Sequence, residues 1–127
     1  MSAISPCMKR CSTRHKDQWG RLDCLLDNAG ISVKKRGDLL DLEPDSFNQN
    51  IAINARAPFF LAQAFVSAYW HSRNRKRNCR TAGLFSSSSI NAIMLAMNRG
   101  EYTIAKTAVS AAAGLLLLAF VMNKLAL

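Results

Sequence analysis

A chain of 127 residues makes one domain of modest size, and with half its residues hydrophobic it can bury a core, which excludes a disordered tail or a fibrous repeat. Its net charge of +9 is uneven: seven of eight acids lie at or before Asp45, whereas the bases split eight before it and nine after, so the C-terminal two-thirds is cationic and suits phosphates, nucleic acid or anionic lipid. The four cysteines (Cys7, Cys11, Cys24, Cys79) form no C-x-x-C pair, so reduced thiols and a cytoplasmic location are expected.

Met1–Gln18 is polar and basic, with no apolar core of signal-peptide length, no strand pattern and no G-x-x-x-G-x-G. Cys7, Cys11 and His15 fall at i, i+4 and i+8, which could form one helical face, but a fourth ligand is lacking and no metal is expected. Leu22–Leu26 reads as a short buried parallel strand ending in the turn Asp27-Asn28-Ala29-Gly30, where glycine permits close backbone approach. Ile31–Asp41 is a loop whose triplet Lys34-Lys35-Arg36 is solvated.

A helix starts at Leu42-Glu43-Pro44-Asp45, with proline and acids in its first turn. Phe47, Ile51, Asn54, Pro58, Leu61, Phe65 and Tyr69 then recur at intervals of three or four and form one stripe. Asn54 is the polar residue on that face, either bonded to a backbone bent near Pro58 or part of a site. His71–Arg80 carries five bases in ten residues with no interleaved aromatics, so it reads as a solvated loop and specific nucleic-acid binding is not expected.

Thr81–Ser87 reads as a second strand, which completes a right-handed β-α-β unit. Ser88 and Ser89 follow at its carboxyl end, where open α/β sheets place ligands. A last helix runs from about Gly100 to Asn123. Its stretch Ala108–Met122 is almost wholly apolar, but an uncharged run of that length falls short of the ~20 residues that span a bilayer. Extended to Leu127 it includes Lys124, which leaves a tail-anchored membrane-surface protein as an alternative.

Tyr102 and Lys106 lie four apart on this last helix and so share a face. A free phenol titrates near ~10, and an ammonium one turn away favours the phenolate. Ser89, thirteen residues before Tyr102, could aim its hydroxyl at the same spot. Together the three groups form a plausible site for moving a proton to or from a carbonyl or alcohol oxygen.

The runs Gly20–Ile31 (G-R-L-D-C-L-L-D-N-A-G-I), I-N-A-R-A-P-F-F-L around Asn54, the serines at 86–89 and E-Y-T-I-A-K resemble, in order, the central part of a short-chain dehydrogenase/reductase. The resemblance covers about Trp19 to Ala113. It implies two regions, a divergent basic N-terminus at 1–18 and a partial family domain at 19–127. The implied fold is a partial Rossmann-like α/β three-layer arrangement with a small parallel sheet and long helices. It also implies an NAD or NADP cofactor, a small carbonyl or alcohol substrate, and homo- or hetero-oligomers formed through the long helices.

By the same resemblance, Tyr102 exchanges the proton, and Lys106 tunes it and bonds the nicotinamide ribose. Ser89 holds the substrate oxygen, Asn54 positions a relay water, and Asn28, Ala29 and Gly30 line the cofactor. Asp27 stands where the family usually has asparagine. The family's glycine-rich turn and final strands have no counterpart in this sequence, whose first glycine is Gly20. The expectation is a shortened form with impaired activity. The alternative is a non-catalytic module that pairs through its apolar helices.

Overall fold

The structure, a computed structural model, describes residues 10, 14, 17–20, 22–76 and 83–125. Cys7, Cys11 and His15, the basic residues Arg77 and Arg80, and the expected strand start at 81–82 lie outside the described residues. By its contacts the chain divides into two units, Met1–Asp27 with Phe60–Ser86, and Asn28–Phe59 with Ser87–Leu127.

The first unit holds two parallel strands, β1 (Cys24–Asp27) and β2 (Gly83–Ser86), with Cys24 opposite Gly83 and Asp27 opposite Ser86. The Gly83 N–H donates to the Asp23 carbonyl at 2.9 Å and carries the ladder one step further. Parallel neighbours require a long crossover, and the helical segment between the strands supplies it. The pairing is as the apolar runs predict, but the burial is not. Leu26 is 70% exposed and Cys24 is exposed, while Asp27 is buried. Alternate residues face opposite sides of a strand, so Cys24 and Leu26 share the open face and Leu25 and Asp27 the covered one. An apolar run cannot by itself say which side is covered.

In the second unit, Asp38 caps a 3-10 turn at Leu39–Asp41, its Oδ1 accepting from the Leu40 N–H at 2.9 Å. Helix α1 (Pro44–Ile51) follows, with proline in its first turn and Asp45 at the positive end of its dipole. A π-helical turn, Ala52–Arg56, joins α1 to α2 (Ala57–Lys76). Helix backbone thus continues to Lys76, through residues expected to be loop. A 3-10 turn at Ile90–Ala92 precedes the last helix, α3 (Gly100–Leu125). Helix α1, the π turn and the Ile90–Ala92 turn all pack against α3.

The buried face of α3 is mostly polar. Ala105 and Val109 are its buried apolar residues, beside buried Glu101, Thr103 and Lys106. Glu101 and Lys106 have hydrogen-bond partners, whereas buried Thr103 Oγ1 has none among the described residues. Ser46 Oγ on α1 donates to Glu101 Oε1 on α3 at 3.0 Å. Further along α3, Leu115, Leu117, Leu118 and Met122 are exposed among the described residues. Two stretches, Pro44–Trp70 and Gly100–Met122, are long and apolar enough to cross a membrane by length and composition. Both carry buried polar side chains bonded to other segments, although only 22% and 17% of their apolar windows are buried.

Replacing Ser46 by Ala removes the partner of a buried carboxylate. It should lower unfolding stability by about 1–3 kcal/mol, read as a drop in the urea midpoint at unchanged slope.

Candidate active site

Asn54 sits in the middle of the π turn and is 0% exposed. Its Oδ1 accepts from the Ile31 N–H at 2.9 Å, and its Nδ2 donates to the Ile31 carbonyl at 2.9 Å. One side-chain amide thus takes both backbone groups of a residue 23 positions earlier. The second Nδ2 hydrogen goes to Asn50 Oδ1. The side-chain amide bonds backbone, that of Ile31 rather than the bend near Pro58. Pro58 still matters: standing at i+4 with no N–H, it leaves the Asn54 carbonyl without its ordinary helical donor.

The buried column on this helix is Asn50, Asn54, Pro58, Ala62 and Phe65. Ile51 and Leu61, expected on the buried stripe, are half-buried. A strict i+4 column drifts around an α-helix, and the wider π turn takes back part of that drift.

Gly30 lies directly against this amide. A Cβ at Gly30 would stand 2.9 Å from Asn54 Oδ1 and 3.7 Å from Lys106 Nζ. Gly30, Asn54 and Lys106 therefore converge at one point. Lys106 is buried, and its Nζ donates to the Ser87 carbonyl at 3.0 Å and lies 5.8 Å from the centre of the Tyr102 ring. With one hydrogen bond among the described residues, the ammonium keeps two hydrogens for others. Tyr102 is half-buried, and its hydroxyl makes no hydrogen bond among the described residues. Asn28, Ala29 and Gly30 are exposed.

Ser89 is the N-cap of the Ile90–Ala92 turn, with its Oγ accepting from the Asn91 N–H at 3.3 Å. That bond uses a lone pair and leaves the hydroxyl hydrogen free to donate. Thr107 Oγ1 donates to the Ala92 carbonyl at 3.4 Å and ties this turn to α3, one residue past Lys106. Ser88 Oγ and Ser110 Oγ lie 3.2 Å apart, and either can donate to the other.

Sequence reading missed Asn50, 1% exposed and bonded to Asn54, although the spacing N-x-x-x-N on one helix face was there to be seen. It also missed Glu101, whose burial the neighbouring tyrosine overshadowed.

A family model described as enoyl-(acyl carrier protein) reductase matches residues 7–116. The sepiapterin reductase of Chlorobaculum tepidum is 35% identical over 60 residues, 47% of this chain and 24% of that protein. The crystal structure of a 3-oxoacyl-(acyl-carrier protein) reductase from Brucella melitensis aligns with a TM-score of 0.77 at 28% identity, over 86% of this chain and 43% of the other. A crystal structure of 3-oxoacyl-(acyl-carrier protein) reductase from the same organism in complex with NAD gives 0.74 at 29%, over 86% and 42%. The chain thus spans less than half the length of these relatives, and it shares with the two structures a Rossmann-like α/β fold.

Because Asn54 is locked by three bonds, it cannot yield to a methyl at Gly30. Gly30→Ala should cost about 1–3 kcal/mol of stability by overpacking, measured by urea unfolding, and should displace the Asn54 side-chain amide resonances.

Proposed function

The chain belongs to the short-chain dehydrogenase/reductase family, and on that premise we propose that it carries the site of an NAD- or NADP-dependent oxidoreductase that interconverts a carbonyl and an alcohol. The observation that carries the reading is the meeting of Gly30, Asn54 and Lys106, with the Tyr102 ring beside the ammonium.

The residues fit such a cofactor, with Lys106 at its nicotinamide ribose. Asn28, Ala29 and Gly30 offer exposed backbone, Gly30 has no Cβ to obstruct approach, and Lys106 has hydrogens left for a ribose hydroxyl. When bound, the cofactor supplies the hydride that no side chain can.

The chain's own groups do the rest. Tyr102 gives its proton to the substrate oxygen in reduction and takes it back in oxidation, its hydroxyl making no bond among the described residues. Ser89 donates its free hydrogen to the same oxygen, a donor already oriented by its cap bond. Lys106 holds its positive charge beside the ring. Asn54 has spent both side-chain hydrogens, so a relay water would be held by its carbonyl, which Pro58 leaves without the ordinary donor. The residues before Leu22 include Gly20 as their only glycine, so a glycine-rich pyrophosphate turn is lacking there. Residues 1–127 by themselves would therefore bind the cofactor weakly and turn over slowly.

A second reading, pairing through apolar helices, is favoured by the exposed Leu115, Leu117, Leu118 and Met122 on α3. It predicts a dimer by sedimentation that Leu117→Lys with Leu118→Lys dissociates; release from lipid vesicles by the same change would favour the tail anchor instead.

Titration of the chain with NADH and NADPH should give a saturable fluorescence change with at least one, and its absence with both would count against the oxidoreductase reading. Tyr102→Phe should keep that binding within about twofold while carbonyl reduction falls by about 10²–10⁴-fold.

A further inference from the structure

Asn54 does not grip the loop alone. Asn50, one helical turn earlier and equally buried, accepts from Asn54 Nδ2 with its Oδ1 and donates through its own Nδ2 to the Ser32 carbonyl at 3.4 Å. Two stacked amides on one helix face thus hold two consecutive backbone residues, Ile31 and Ser32. The directions are fixed by the network. Reversing the Asn54 amide would set its N–H against the Ile31 N–H, and reversing Asn50 would set two carbonyl oxygens together at Ser32.

The physical consequence lies in the number of anchors. A pair of bonds to one residue fixes that residue's place but lets the chain beside it pivot. A bond to the next residue removes the pivot. The segment so fixed begins at Gly30, whose missing Cβ faces both Asn54 Oδ1 and Lys106 Nζ. We infer that Asn50 is a positioning residue of this site: it locks Asn54 and the Gly30–Ser32 backbone into the one arrangement in which Gly30 and Lys106 meet. Asn50 is 1% exposed, so it is not placed to meet a ligand directly. Its chemical effect passes through Asn54, and this part of the inference rests on the oxidoreductase reading.

The test compares the unsubstituted chain with Asn50→Leu, which keeps the volume and removes both polar groups, and with Asn50→Ala in case the larger side chain prevents folding. Hydrogen exchange of the Asn54 side-chain amide, followed by NMR on the folded protein, should quicken by about tenfold or more once its buried acceptor is gone. In steady-state reduction, kcat should fall about tenfold while the KM for NADH or NADPH stays within about twofold, because Asn50 orients the site without touching the cofactor. Unchanged Asn54 exchange in a folded variant would overturn the inference. So would kcat and KM that shift only in step with a lower thermal midpoint, which is the mark of a merely structural residue. If the unsubstituted chain binds neither cofactor, the oxidoreductase reading fails, and the exchange measurement still decides whether Asn50 locks Asn54.

Discussion

The second unit is organised around a buried amide that holds an irregular loop as a strand neighbour would. Ile31 lies in a loop, where its backbone N–H and C=O would ordinarily face water. The side chain of Asn54 takes both, at 2.9 Å each. Such bonds contribute modestly when made, about 1 kcal/mol each, but leaving one of these groups buried and unmet costs more. Asn54 can be fully buried because its partners are there, and the loop stays in place because Asn54 is buried.

Other features follow from this clamp. Gly30 must be glycine because the amide occupies the space of a Cβ. The i, i+4 spacing presents Asn50 and Asn54 in one column, and Pro58 has no N–H to offer the Asn54 carbonyl four residues before it. Lys106 completes the arrangement from α3, held by the Ser87 carbonyl and lying beside the Tyr102 ring. The helix that carries Lys106 is fixed in turn by Ser46 on Glu101 and by Thr107 on the Ala92 carbonyl. Few apolar side chains are buried here, so polar contacts set the geometry.

Much of this was legible in the residues. The two strands, the proline-led start of α1 and the Gly100 start of α3 all came from local signals. The pair Tyr102–Lys106 followed from a spacing that any helix imposes. What stayed hidden was long-range. The N-x-x-x-N spacing puts Asn50 on the Asn54 face, but only the return of the Ile31–Ser32 segment gives its Nδ2 a partner. The open face of β1 was hidden likewise, because Leu26 and Asp27 exchange their expected places by facing opposite sides. The basic run after His71 reads as a solvated loop, yet bases are good helix formers and the helix continues to Lys76.

Backbone hydrogen exchange at Ile31 tests the clamp most directly. The account predicts that the Ile31 amide, though in a loop, exchanges far more slowly than its exposed neighbours, and that Asn54→Leu removes the protection in a chain that remains folded. An Ile31 amide exchanging at the rate of a free loop in the unsubstituted protein would contradict it.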